Sequence, residues 1–558
     1  MNSDMFRGEA TQAMVRHFAA GLALSLVAAA CTSTGTYQEA QAVDLRFVDV
    51  ADEVGLDFRH GAFRWGVSAD PAAMMGGGLC WIDYDADGWL DLFLVNTYAE
   101  AEWDRWQGEG GLPRSALYRN RRGQFVDVTD DAGVGLEVRG NGCVAADLDL
   151  DGWTDLYVTT ARGDVLLWNE GDGTFTDGTQ SAGIDVYGWH TGVAVGDING
   201  DGWPDLFVAA YVEPNTPNPR GGIAFPNTLV ARRDLLYLSE GPGPAGHVTF
   251  REVGEEVGLE RDEYEYGLGV VLSDLDGDGD LDLFVANDTK PNRLYENVAR
   301  PDDPFGFRLV DVTDSAQVGD LNSGMGVAAE DYNGDGLFDL IVTNLGDQVH
   351  SVYRNETNLR FAEGRDDLGV ADLGVGNTGW GVSWADFDLD GDRDLMIANG
   401  FVPITGDEDR QLLSLYRNTG ASLTDISNLA GLDALGPLHG RGLATADYDN
   451  DGDIDVAVSS IGGPVRLLEN RVAGFHWLIV DLEGFNPGAV VRIELEDGTE
   501  QRCEVRAGSS WLSSEDPRCH FGLGTGRVSA IHVDWPDGTS SDLVAPGHDR
   551  IIEVKQPG

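Results

Sequence analysis

Between Trp81 and Val456 the template D-x-[DN]-x-D-G-x-x-D occurs seven times, and nothing else in the chain repeats so regularly. The first three copies place Asp83, Asp85, Asp87 and Asp91, then Asp147, Asp149, Asp151 and Asp155, then Asp197, Asn199, Asp201 and Asp205. The other four place Asp274, Asp276, Asp278 and Asp282; Asp331, Asn333, Asp335 and Asp339; Asp386, Asp388, Asp390 and Asp394; and Asp447, Asp449, Asp451 and Asp455. Oxygens at positions 1, 3 and 5 of a tight turn converge on one point, and the glycine at position 6 permits the bend. A carbonyl at position 7 and the aspartate at position 9 complete a shell of hard oxygens with no His or Cys, which selects Ca²⁺ over zinc or copper. Left empty, three or four carboxylates within nine residues repel one another, so up to seven bound Ca²⁺ are expected. Each ion stabilises the native state by about 2.7 kcal/mol when free ion stands about 100-fold above Kd.

The loop is not an EF-hand, which runs to a glutamate at position 12 between helices. Here strand-like runs flank it, GVAVGD before the third copy and DLFVAA after it. Successive first aspartates lie 64, 50, 77, 57, 55 and 61 residues apart, the size of a four-stranded propeller blade with variable loops. A second motif follows most loops, as in ALYRN at 116–120, LLWNE at 166–170, RLYEN at 293–297, SVYRN at 351–355, SLYRN at 414–418 and RLLEN ending at Asn470; the third blade has the weaker LLYLSE. A third motif comes next, as in FVDVT at 125–129, FREVG at 250–254 and LVDVT at 309–313. Two strands beside the loop plus these two make four per blade. Only six fourth strands follow a loop, and FVDVA at 47–51 precedes the first. That segment is expected to pair with RLLEN and close the ring, leaving little exposed sheet edge. The predicted fold is all-β: a seven-bladed calcium-binding β-propeller closed by an N-terminal strand, followed by a small C-terminal β domain.

The chain has 558 residues, 75 of them glycine, and a formal net charge of -58. Phosphate backbones are repelled by such a surface, so nucleic acid is excluded as a partner. Residues 1–30 read as a signal peptide, with Arg7, Arg16 and His17 before an uncharged run too short to span a bilayer. The run ends in VAAAC, which is similar to the lipobox of bacterial lipoproteins and makes Cys31 a candidate for lipidation. Export is expected, as an outer membrane lipoprotein or at the cell surface, with a lipid anchor as the sole membrane contact. Residues 31–45 read as a flexible tether, 46–472 as the propeller and 473–558 as the β domain, in a monomer.

Segments entering the innermost strands line the mouth of a propeller channel. They offer His60, Arg64, Arg139, His190, Tyr266, Trp380, His439 and Arg441 as candidate ligand-binding residues, suited to an acidic sugar or carboxylate. Insertions at 97–115 and 211–234 are expected on the same side. Cys503 and Cys519 are expected to form a disulfide, and Cys80 and Cys143, read as lying in different registers, to be buried free thiols. The triplet Arg162, Gly163, Asp164 is read as a chance hairpin sequence rather than an adhesion motif. No GxSxG, HExxH, phosphate-loop or CxxCH signature is present. The expected function is non-catalytic binding of a carbohydrate or protein partner through the propeller face. The alternative is a calcium-dependent polysaccharide lyase or hydrolase at the channel mouth, with Arg and His as its working groups.

On these loops and blade motifs, residues 46–472 resemble the FG-GAP/VCBS repeat β-propellers, the group that includes the integrin α-subunit head. After residue 473, HWLIVDLEG, GAVVRIELEDGTEQRCEVRAGSSWLSSEDPRCHFGLGTG and VSAIHVDWPDGTSSDLV resemble the ASPIC/UnbV domain. The pairing is similar to bacterial relatives of cartilage acidic protein. The resemblance implies the fold and calcium and leaves the biochemical role open.

Overall fold

The computed structural model describes residues 45–558 apart from 185–186, 244–245, 262, 421, 545–546 and 558. The leader, the tether up to residue 44 and Cys31 lie outside the described residues. The described residues form one compact unit.

The acidic repeats fold into seven four-stranded antiparallel sheets among the described residues. The first comprises Leu79–Ile82, Asp91–Leu94, Ala116–Asn120 and Phe125–Asp127 in chain order, and each of the next five repeats that order. In the seventh, the outermost strand is Phe47–Asp49, antiparallel to Arg466–Asn470 with Phe47 opposite Asn470 and Asp49 opposite Leu468. Innermost strands are buried along nearly their whole length. Each packs against the innermost strand of the next sheet, and the seventh, Gly440–Ala446, packs against the first.

One glycine in or just before each innermost strand permits this approach. Gly78, Gly142, Gly192, Gly269, Gly326, Gly381 and Gly442 each stand five residues before the first loop aspartate. A Cβ at Gly269 would lie 2.2 Å from Met325 O, at Gly326 2.1 Å from Trp380 O, and at Gly442 2.6 Å from Gly77 O, distances no side chain tolerates.

Residues 473–558 form two sheets. One orders Cys519–Gly524, His476–Leu482 and Arg550–Val554, the last pair parallel; the other orders Glu500–Glu504, Val490–Leu495, Val528–Asp534 and Ser540–Val544. Between them lies a core that includes Leu478, Val480, Val491, Ile493, Phe521, Ile531 and Trp535. A Cys503–Cys519 disulfide joins the two sheets.

From this domain the segment 507–514 runs among the innermost strands. Its backbone accepts from Val195 N at Ala507 O, from Val327 N at Ser510 O, from Cys143 N at Leu512 O and from Trp81 N at Ser514 O. Trp511 is fully buried, meets Trp380 edge-on at 4.6 Å and donates through Nε1 to Met75 O.

Cys80 and Cys143 depart from expectation. They are joined in a disulfide with Cα atoms 6.2 Å apart, not free thiols. They lie three and four residues before their loops, which reads as a mismatch. Gly78 N, two residues before Cys80, donates to Asn141 O, two residues before Cys143, so the two strands meet one position out of step with their loops and the side chains come together.

Candidate functional site

Each acidic turn is built by its own carboxylates. In the first, Asp83 at position 1 accepts from Asp87 N and Gly88 N at 3.0 and 2.9 Å, and Asp87 accepts from Trp89 N at 3.1 Å. The other six repeat the position 1 bonds. Position 9 reaches further. Asp91 Oδ2 accepts from Tyr84 N within the loop, while Oδ1 accepts from Asn120 N on the third strand. The same bond to the third strand recurs in all seven sheets, from Asn169, Ser239, Asn297, Asn355, Asn418 and Asn470 N, at 2.7–2.9 Å.

This geometry explains the asparagine that ends the Tyr-Arg-Asn motif. Its side-chain amide donates to the position 2 carbonyl of the neighbouring loop: Asn169 to Tyr84, Asn297 to Ile198, Asn355 to Leu275, Asn418 to Tyr332 and Asn470 to Phe387, all at 2.7–2.9 Å. Asn120 of the first sheet donates to Tyr448 of the seventh loop at 2.7 Å. The asparagines are therefore joints between sheets. The motif was visible in the sequence; its partner one repeat away was not.

The donor set suits a hard cation. Carboxylate oxygens of Asp83, Asp85 and Asp91 lie within 4.8 Å of one another, as do those of Asp147, Asp149 and Asp155, of Asp274, Asp276 and Asp278, and of Asp386, Asp388 and Asp394. Several are buried without a hydrogen-bond partner, including Asp85 Oδ1, Asp149 Oδ1, Asp388 Oδ1, Asp449 Oδ1 and Asp455 Oδ2. Burial pushes the carboxyl of Asp91 up to about 9, of Asp282 to about 9 and of Asp339 to about 8, so a charged shell there calls for a counter-ion. The chain supplies part of it: Arg119 pairs with Asp85 at 2.5 Å and Asp87 at 3.1 Å, and Arg417 pairs with Asp388.

The eight candidate ligand residues do not share one pocket. His60 and His439 are buried, and desolvation first, then Arg441, lowers their pKa values to about 3 and about 4. His190 is fully buried with Nδ1 2.7 Å from Asp164. Arg441 lies 3.8 Å from the Trp380 ring and donates to Met74, Gly400 and Gly440 carbonyls. Tyr266 donates to Leu229 O, and Arg64 stands at the surface beside Glu109. Asp164 is buried and accepts from Tyr157 OH and Thr160 N, so the Arg-Gly-Asp triplet does not present its carboxylate.

Arg139 does face a depression of about 370 Å³, together with Arg162, Tyr187, Trp189, Asp70 and Glu100. Arg139 pairs with Asp70 at 2.5 Å, and Glu100 bridges Arg139 and Arg162 at 3.4 and 2.8 Å. Tyr187 is 56% exposed, and Trp189 packs at the base against Tyr211 and Phe225. Beside it, sharing Pro71 and Phe225, opens an apolar cavity of about 760 Å³ that Trp380, Met74, Met75 and Met325 help to line. Both insertions contribute, through Glu100 and through Pro214, Asn215 and Phe225. Sequence reasoning missed Tyr187, Arg162, Asp70 and Glu100, because nothing in their spacing shows that separate loops bring them together.

Repeated four-stranded sheets with an acidic turn between the first two strands define a β-propeller built from acidic-loop repeats. The chain belongs to the FG-GAP-repeat proteins that end in an ASPIC/UnbV domain. The FG-GAP-like repeat model matches residues 83–158, 147–208, 274–342 and 331–397, and the ASPIC and UnbV model matches 483–558. The seventh loop lies outside the matched segments yet repeats the same bonds. The chain is similar to cartilage acidic protein 1 of Homo sapiens, 29% identical over 327 residues that cover 56% of this chain and 47% of that one. It is also similar to cartilage acidic protein 1 of Xenopus tropicalis, 27% identical over 350 residues, 60% of this chain and 52% of that one. It thus spans about half the length of the curated relatives it matches. Among solved structures, an Agrocybe aegerita lectin that recognises non-reducing terminal N-acetylglucosamine matches 65% of this chain and 88% of its own at 16% identity and a TM-score of 0.36.

Proposed function

We propose that this chain is an exported, calcium-stabilised, non-catalytic binding protein. Its seven sheets are the blades of one ring sealed by the N-terminal strand, and one face of that ring takes a carbohydrate. Support for the closed ring comes from the pairing of Phe47–Asp49 with Arg466–Asn470 and from the Asn120 bond to Tyr448. Support for calcium comes from the buried, unpartnered carboxylate oxygens of the acidic turns. The residues to hold Ca²⁺ are the position 1, 3, 5 and 9 side chains of each turn, where the ion would supply positive charge and cross-link the turn. Two disulfides accord with an oxidising compartment.

The observation that carries the ligand assignment is the depression at Tyr187 and Trp189. An exposed ring beside mutually neutralised Arg–carboxylate pairs offers a stacking surface and donors and acceptors in one place, which suits a polyhydroxyl ligand of low charge better than the acidic one first expected. The non-catalytic reading rests on the same geometry: the candidate histidines are buried, and Asp70 and Glu100 are held in ion pairs. A protein partner is the second reading, favoured by the adjoining apolar cavity.

Titration of the calcium-loaded protein with a panel of neutral and uronate-containing oligosaccharides tests this. Neutral sugars are expected to bind, with at least about tenfold loss in Tyr187→Ala and Arg139→Ala, and to be recovered uncleaved. Binding indifferent to both substitutions would sink the assignment of the depression, and cleaved product would sink the non-catalytic reading.

A further inference from the structure

The C-terminal domain carries a cluster of a different chemistry from the acidic turns. Strand His476–Leu482 runs parallel to Arg550–Val554, with Leu478 opposite Arg550. Continuing that register backward by two residues sets His476 beside His548. The two imidazoles lie with centroids 3.7 Å apart and planes tilted by 38°. The backbone holds Asp549 in place, since Asp549 N donates to Trp477 O at 2.8 Å and its φ is +55°. Its carboxylate then meets both rings through the same ring nitrogen: His476 Nδ1 at 3.0 and 3.1 Å, His548 Nδ1 at 2.8 Å.

We infer that His476, His548 and Asp549 form a binding site for one borderline transition-metal ion, of which Zn²⁺ is the type. Two imidazole nitrogens and one carboxylate oxygen, each within 4.8 Å of the others, are a three-ligand set with room for water in the remaining positions. An ion bonded to nitrogen and oxygen at about 2.0–2.1 Å in tetrahedral geometry holds its ligand atoms about 3.3 Å apart. Opening the present 2.8–3.1 Å contacts by a few tenths of an ångström therefore admits it. The side chains are 39%, 28% and 44% exposed, so an ion enters without rearrangement of the core. Imidazole separates this site from the oxygen-only turns: it disfavours Ca²⁺ and suits Zn²⁺, Ni²⁺ and Cu²⁺. A bound ion would tie the starts of two neighbouring strands together.

The test is a Zn²⁺ titration of the untagged protein in millimolar Ca²⁺, which fills any oxygen site first. One equivalent is expected to bind, and His476→Ala and His548→Ala are each expected to weaken it by at least about tenfold. His532→Ala, which removes an exposed histidine with a single carboxylate partner, Asp542, is expected to leave it unchanged. Unaltered thermal unfolding of the variants in zinc-free buffer shows that the fold survives, and Co²⁺ in place of Zn²⁺ should give visible absorption in the parent and none in the His variants. If the parent takes up no zinc under calcium, or if His476→Ala and His548→Ala bind as the parent does, the site is refuted.

Discussion

Asn169 shows how one side chain works on two scales at once. Its backbone N–H donates to Asp155 Oδ1 within its own sheet, and its amide donates to Tyr84 O of the preceding loop and to Thr154 O. The first two contacts are buried and the third half-buried, and Asn169→Ala leaves two carbonyls without their donor. Each such orphan costs about 1–3 kcal/mol, and a loss of about 2–4 kcal/mol is expected in chemical denaturation. The third sheet supplies the converse. Ser239 stands where the other sheets have asparagine; its N–H donates to Asp205 Oδ1 and its hydroxyl accepts from Gly241 N, but its side chain is too short to cross to the second loop. Ser239→Asn is expected to add the missing joint to Leu148 O and raise stability by about 0.5–1.5 kcal/mol. A destabilised Ser239→Asn, with Asn169→Ala neutral, would show that the asparagine serves its own turn and not the neighbouring sheet.

At the level of elements, the segment 507–514 is the least expected part of the molecule. It lies in a domain whose strand pattern was readable, yet its partners are strands 67 to 434 residues away in sequence. Ser510 Oγ accepts from Val382 N and donates to Leu443 O; Ser513 Oγ accepts from Leu79 N. Strand alternation and turn residues made the sheets themselves legible, as did the displaced strand 47–49, because those signals are local. The inserted segment has no such signal: GSSWLSS reads as a polar loop around one tryptophan. Only the glycines five residues before each loop hinted that the centre is crowded. Truncating Trp511 removes a fully buried indole and its bond to Met75 O. Trp511→Ala is expected to cost about 3–5 kcal/mol and, because the indole also backs Trp380 at the apolar cavity, to loosen that cavity. The check is equilibrium unfolding together with uptake of an apolar fluorescent dye. A cost below about 1 kcal/mol would mean that the segment merely rests on the sheets.

For the molecule as a whole, the net charge of -58 and the seven acidic turns pose one electrostatic problem. Seven divalent ions would offset 14 of those charges, two for each turn, and would do so where the carboxylates are most crowded. Every position 9 aspartate is bonded to the third strand of its sheet, and in six sheets that strand's asparagine holds the neighbouring loop. Ion binding at one turn would therefore be mechanically joined to the next sheet, and calcium is expected to act on the unfolding of all seven sheets together. Removing it with a chelator should lower Tm by at least about 5 °C and calcium should restore it. The seventh loop separates the ion from the scaffold. Asp449 at position 3 has a buried oxygen without a partner, whereas Asp455 at position 9 accepts from Asn470 N at 2.8 Å. Asp449→Ala should destabilise the protein in calcium and have little effect, or relieve repulsion, in chelator. Asp455→Ala should destabilise it in both, since it removes a structural acceptor as well as a ligand. Equal effects of Asp449→Ala with and without calcium, or elemental analysis that finds no calcium in the purified protein, would make the turns self-sufficient hydrogen-bonded corners whose charge is balanced in part by arginines such as Arg119, Arg417 and Arg502.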